Sequence, residues 1–222
     1  MSEREKIFAR IREALKVKAH AHGGEGLPTT NDHRRVMPFV GSSFDEQLAL
    51  FCKNAADLRA DVKQVADIAA VRDELKNLCA SENWKSIAAH DGELSRSTTE
   101  SIGVPVKFIE QGIPKDELGR CDAAITECDA LVAQTGSVLV TSRSAGGRAL
   151  SCLPPHHIVI ARRDQLVPDL PAAFALLKQR YSGKFPSMIS FITGPSRTGD
   201  IERILVLGAH GPKRLTIFVV HS

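Results

Sequence analysis

Long apolar runs are missing from this 222-residue chain. Those that occur are as short as Ile217-Phe218-Val219-Val220, far below the roughly 20 residues a membrane-spanning helix needs, so insertion into a membrane is not expected. Aromatic residues are scarce as well, with one tryptophan, Trp84, one tyrosine, Tyr181, and nine phenylalanines, which leaves no stacking surface for nucleic-acid bases. Charge of one sign is lacking too. The 29 Lys plus Arg stand against 26 Asp plus Glu for a net +3, scattered rather than striped, whereas a nucleic-acid footprint requires clustering. The five cysteines are odd in number and never spaced as C-x-x-C. That suits a reducing compartment and supplies no cysteine pattern for an iron–sulfur cluster or a structural zinc. Met1–Lys6 mixes both charge signs and no signal-peptide apolar segment follows, so the expected location is the cytoplasm.

What is present is the pattern of an α/β protein. Ser2 and Glu5 form a capping-box pair, and Ile7, Phe8, Ile11 and Leu15 then fall on one helical face, predicting an N-terminal helical arm suited to packing against a partner or a second copy of the chain. The arm runs out at Lys18–Pro28, a stretch with three glycines and a terminal proline that reads as a flexible connection. The expected organisation is therefore residues 1–38 as helix and linker and residues 39–222 as the main domain. From Ser43 a second capping box, with Glu46, opens a helix carrying Phe44, Leu48, Phe51, Ala55 and Leu58. Strands are predicted at 61–65, 85–89, 106–109, 137–141, 157–161, 188–193 and 215–220, and helices through Val71, Leu75 and Leu78 and over 168–180. This alternation implies a mostly parallel sheet flanked by helices on both faces.

Two glycine- and hydroxyl-rich segments adjoin predicted strands. The first includes Gln134-Thr135-Gly136-Ser137 and, beyond the strand that follows, Ser142–Arg148; the second is Thr193-Gly194-Pro195-Ser196-Arg197-Thr198-Gly199-Asp200-Ile201-Glu202. Unhindered backbone N–H groups, short hydroxyls and an arginine are the ingredients of a carboxylate or phosphate site. Ordinary turns and helix caps use the same residues. Asp200 reads as a cap or as an orienting partner of Arg197. His156 and His157 are adjacent on a strand and point to opposite faces, so the pair cannot chelate one ion. No metal site is expected, and Cys152 reads as a buried small thiol. No residue is singled out as catalytic.

Ala133–Ser137, Pro154-Pro155-His156-His157-Ile158, Gly194–Glu202 and Leu207-Gly208-Ala209-His210-Gly211-Pro212, in this order and spacing, resemble the signature of the lactate utilization protein C family. The resemblance implies a LUD domain on a fold like that of ribose-phosphate isomerases, glucosamine-phosphate deaminases and CoA transferases. It also implies a cluster-free, non-redox subunit of a complex that oxidises L-lactate to pyruvate, with iron–sulfur clusters held by partner subunits and no cofactor in this chain. Carried over by position, the ligand-binding candidates are Thr135, Gly136, Ser196, Arg197, Thr198, Asp200 and His210, with Arg197 meeting a carboxylate. The alternatives are a free-standing sugar-phosphate or acyl-CoA enzyme and a non-catalytic ligand sensor. An acyl-CoA transferase needs a nucleophilic glutamate, and nothing selects one from Glu82, Glu100, Glu117 and Glu127.

Overall fold

A computed structural model describes residues 3–16, 39–198, 206–207 and 211–221. Met1–Pro38 and Phe39–Ser222 are separate compact units. In the first, helix α1 spans Glu3–Lys16, with Glu3 and Glu5 in its first turn and Lys16 in its last, as the helix dipole favours. Ser2 and the 18–28 connection lie outside the described residues.

The second unit opens with α2 (Phe44–Asp57), started by the expected capping box: Glu46 N–H donates to Ser43 Oγ and Ser43 N–H to Glu46 Oε2. Next come β1 (Asp61–Val65), α3 (Ile68–Ser81), β2 (Ile87–Ala89), α4 (Glu93–Thr99), β3 (Val106–Phe108), α5 (Lys115–Leu118), β4 (Ala123–Thr126), β5 (Ala130–Val132) and β6 (Ser137–Thr141). The chain closes with β7 (His156–Arg162), β8 (Leu166–Val167), α6 (Leu170–Tyr181), β9 (Ile189–Ile192), β10 (Arg197–Thr198), β11 (Val206–Leu207) and β12 (Arg214–Val220).

Six strands form an entirely parallel sheet in the order β1-β12-β7-β4-β2-β3. A four-stranded mixed sheet, β8-β5-β6-β9, stacks on it, and β10 and β11 make a small antiparallel pair. One apolar layer fills the space between the parallel sheet, the mixed sheet and α2, through Phe51, Leu131, Val138, Val140, Val159, Ile217 and Val219. On the opposite face of the parallel sheet, Val71 and Leu75 of α3 pack with Ile87, Ile125, Ile158 and Phe218. Helix α6 covers the outer face of the mixed sheet through Ala173 and Leu177. The architecture is thus α/β with a mostly parallel central sheet flanked by helices.

The differences from the sequence reading have local causes. The strand expected from Lys85 begins at Ile87, because Asp122 takes the N–H groups of Lys85 and Ser86 at 2.6 and 2.9 Å and draws both out of the ladder. The last helix starts at Leu170, where Asp169 caps the Ala172 N–H. Strands β6 and β9, read as members of the parallel sheet, instead pair antiparallel in the second one. A tight turn joins β5 to β6, and without a crossover helix the two must run antiparallel. Helix α4, β4 and β5 carry little sequence signal. In α4 the serines and threonines are poor helix formers. Its start is held by the Glu127 carboxylate, which accepts from Leu94 and Ser95 N–H, and its end by Thr98 and Thr99 hydroxyls donating to backbone carbonyls of the preceding turn.

The β5–β6 turn is clamped to α2. Asn54 Nδ2 donates to the carbonyls of Ala133 and Gln134, each at 3.0 Å, and Gly136 has φ +63° with room for no Cβ, which would come 2.5 Å from Ala55 N. Gly136→Ala is expected to destabilise the fold by about 2 kcal/mol or more, through left-handed strain plus overpacking, read as a lowered midpoint in urea unfolding.

Candidate functional site

The stacking of the two sheets leaves a cleft of about 250 Å3. Its inner wall is His157 and Leu215, at the amino ends of β7 and β12. Its outer wall is Met188, just ahead of β9, with Ser190 and Ile192, the alternate residues of β9 that share one face. Gly194–Ser196, Gly211-Pro212 and Ser151-Cys152 form the rim. The position is unusual for an α/β protein, whose ligands ordinarily gather beyond the carboxyl ends of parallel strands.

Local hydrogen bonds build this rim. Ser196 N–H donates to Pro212 O at 2.8 Å, tying the turn after β9 to the segment before β12. Gly194, at φ +83°, lies flat against the Leu58 carbonyl at the end of α2, where a side chain has no room. The hydroxyls of Ser137 and Thr193 meet at 2.7 Å, so the first and second segments touch there.

The sequence candidates are therefore only partly brought together. Ser196 lines the cleft. Arg197 is exposed on β10, outside the lining, and Thr198 follows it on the same short strand. Thr135 and Gly136 form the turn against α2 and do not line the cleft; the Thr135 hydroxyl is buried without a partner. Asp200 and His210 lie outside the described residues.

The Ser142–Arg148 loop, read as an anion cradle, has spent most of its backbone donors. Arg143 and Ser144 N–H donate to Thr141 Oγ1, Ala145 N–H to Thr141 O and Gly147 N–H to Ser142 O. Arg143 stacks on the Tyr181 ring and Arg148 donates to Ser187 O. Beneath the loop, the buried Asp129 carboxylate accepts from Tyr181 Oη (2.6 Å), Ser144 Oγ (2.7 Å) and Arg180 Nη1 (2.7 Å). Burial alone raises its pKa, but these donors outweigh burial and hold it below the ordinary carboxylate range. Asp129 was not singled out in the sequence, because its donors come from residues as far away as Tyr181.

The adjacent histidines behave as the strand geometry requires. His156 Nε2 sits 2.9 Å from Thr216 Oγ1 with its ring edge-on to Trp84, while His157 Nε2 sits 2.9 Å from Thr126 Oγ1. In both rings Nδ1 is buried and has no hydrogen-bond partner, at a cost of about 1–3 kcal/mol for an unsatisfied buried group. Only His157 lines the cleft. Cys152, expected to be buried, is exposed at the rim, because the turn carrying it faces outward ahead of β7. Among the described residues no three His, Cys, Asp or Glu side chains converge as a metal-binding group, and no helix is long and apolar enough to cross a membrane.

Burial drives the His157 pKa down to about 3, with His156 adding repulsion; burial and then Arg214 bring His156 down to about 4. Both rings stay neutral in the folded state while the unfolded chain takes up protons near pH 6.5. The stability they contribute is present above that pH and is lost as pH falls toward the folded values. Between about pH 6 and pH 5 the two histidines together are expected to lower the unfolding free energy by about 2 kcal/mol per pH unit. Urea titrations across that range measure the slope, and His157→Gln should halve it.

A family model described as the LUD domain matches residues 2–220 of the chain. A lactate utilization protein C of Shouchella clausii is 30% identical over 187 residues, covering 81% of this chain and 81% of that protein. Another, of Deinococcus radiodurans, is 34% identical over 121 residues, covering 54% of this chain and 56% of its own length, so that match spans about half of the relative. The crystal structure of a DUF162 family protein from Deinococcus radiodurans superposes with a TM-score of 0.62 at 25% identity, over 81% of this chain and 99% of the other. The chain belongs to the LUD domain family.

Proposed function

We propose that this chain acts in lactate utilization as a cluster-free subunit of a complex that oxidises L-lactate to pyruvate, the electrons passing to iron–sulfur partner proteins. The observation that carries this reading is the likeness, over 81% of the chain, to a relative named lactate utilization protein C. The placement of the thiols supports it: Cys52 and Cys128 belong to the layer between the sheets, Cys79 of α3 packs on the opposite face of the parallel sheet, Cys121 lies beside α5, and Cys152 is at the surface. In this role the chain contributes a binding or assembly surface. Arg197, exposed on β10 beside the cleft, is the residue that meets a carboxylate.

Two features weigh against a free-standing enzyme of the same fold. A phosphate held at the start of α4 would compete with Glu127, which already fills that position and takes the Leu94 and Ser95 N–H groups. The four candidates for an acyl-CoA transferase nucleophile each have a partner: Glu82 with Arg214, Glu100 with Arg72, Glu117 with Lys107, and Glu127 at α4.

Pull-down of the tagged chain from its host grown on L-lactate is expected to bring down brown, iron–sulfur proteins and lactate-driven dye reduction. A colourless, solitary eluate would refute the reading. Arg197→Ala is expected to leave the melting temperature unchanged and weaken capture of L-lactate about tenfold or more, the loss of one charge-assisted hydrogen bond.

A further inference from the structure

We infer that two copies of this chain pair through β9, strand to strand and antiparallel about a two-fold axis at Ser190, so that their mixed sheets become one continuous sheet. A sheet edge is a row of unpaired backbone groups, and proteins that stay single shorten, charge or cover it. Three outer edges of the two main sheets are treated in that way. Strand β1 carries Asp61 and Lys63, β3 carries Lys107 paired with Glu117, and β8 is two residues long. Strand β9 is the exception. Met188-Ile189-Ser190-Phe191-Ile192-Thr193 holds no charge, proline or glycine. Ile189 is 38% exposed, and Phe191 packs on Phe174 of α6, itself 56% exposed.

The register shows which backbone groups of β9 are free. Ser142 N–H donates to Met188 O, and residues along an antiparallel pair alternate between exchanging hydrogen bonds and facing away. Ser190 and Ile192 therefore bond to β6, while Ile189 and Phe191 turn their N–H and C=O groups outward. No strand among the described residues takes them up. A second copy running antiparallel and centred on Ser190 sets Ile189 of each chain opposite Phe191 of the other, and each of those two pairs exchanges both of its backbone hydrogen bonds.

Side chains match on both faces in that register. Beside α6, Ile189 meets Phe191; on the other face Met188 meets Ile192, and the two Ser190 hydroxyls face each other at the axis, a polar cross-strand pair between apolar ones. The contact is the same patch on both chains, so it closes at two copies. A second copy is thus the occupant that already carries the complementary strand. This inference concerns the isolated chain and does not depend on the lactate complex.

Sedimentation equilibrium of the full chain at rising concentration is expected to give a mass approaching twice 24.1 kDa. Ile189→Lys, which sets a charge against the apolar Phe191 opposite, is expected to raise the dissociation constant of the dimer about tenfold or more. Phe174→Lys takes its place if a melting scan shows that variant to be unfolded. The register is tested by Ser190→Cys combined with Cys152→Ser, which removes the other thiol of the cleft. Facing residues of a non-hydrogen-bonded antiparallel pair have Cα atoms about 4.5 Å apart, within disulfide reach. Mild oxidation is therefore expected to join two chains through the introduced thiols, seen as a band of twice the mass that reductant removes and located by peptide mass mapping. A single-chain mass at every concentration, a dimer equally tight in a folded lysine variant, or introduced thiols that do not join would each overturn the inference.

Discussion

The layer of side chains between the parallel sheet and the mixed sheet governs the main domain. Phe51 and Ala55 of α2 pack there with Leu131, Val138, Val140, Val159, Ile217 and Val219, all fully buried. Burying side chains of this kind is worth about 1.5–3 kcal/mol each, and in this layer α2, both sheets and the β5–β6 turn meet. Because close-packed layers tolerate few voids, the space that opens at its edge, between β9 and the amino ends of β7 and β12, acquires significance.

Polar groups inside this framework are satisfied by partners distant in sequence, and that sets what the surface loops are free to do. Asp129 anchors the glycine loop through Ser144, Tyr181 and Arg180. Asp122 ends the β2 ladder, and Glu127 starts α4. Each carboxylate fills a place that would otherwise draw an anion or water. The carboxyl ends of β2 and β4, where the strand order reverses and α/β proteins ordinarily bind their ligands, are closed over in this way: His90 pairs with Glu110, Asp91 with Arg96, and Gly146 leaves no space between its backbone and that pair. The open cleft lies at the other end of the sheet.

Local information carried most of the architecture. The capping pair Ser43 and Glu46, the Asp169 cap before Pro171, the alternating strand β1 and the largely apolar strands β6, β7 and β12 are encoded within a few residues of where they act, since caps and side-chain periodicity are short-range effects. The same local information, with its motif order, placed the chain in its family. It likewise gave opposite faces to His156 and His157, because alternation along a strand is a property of the backbone alone.

The site was decided by tertiary structure. Ser196 reaches a cleft while Thr135 and Gly136, equally rich in turn chemistry, are spent clamping a hairpin to α2; no spacing rule separates those outcomes, which turn on whether a glycine faces space or the backbone of a neighbouring helix. The amides of Arg143, Ser144, Ala145 and Gly147 read as free donors in the sequence and are consumed by Thr141 and Ser142 in the fold. The unpartnered nitrogen of His157 depends on Thr126, which lies 31 positions earlier in the chain and reaches the ring across the β4–β7 pair. Sequence thus determined which segments become helix and strand and which family they compose, because those depend on neighbours along the chain. Only the stacking of two sheets determined which polar atoms are satisfied and which are left without a partner, because that depends on neighbours in space.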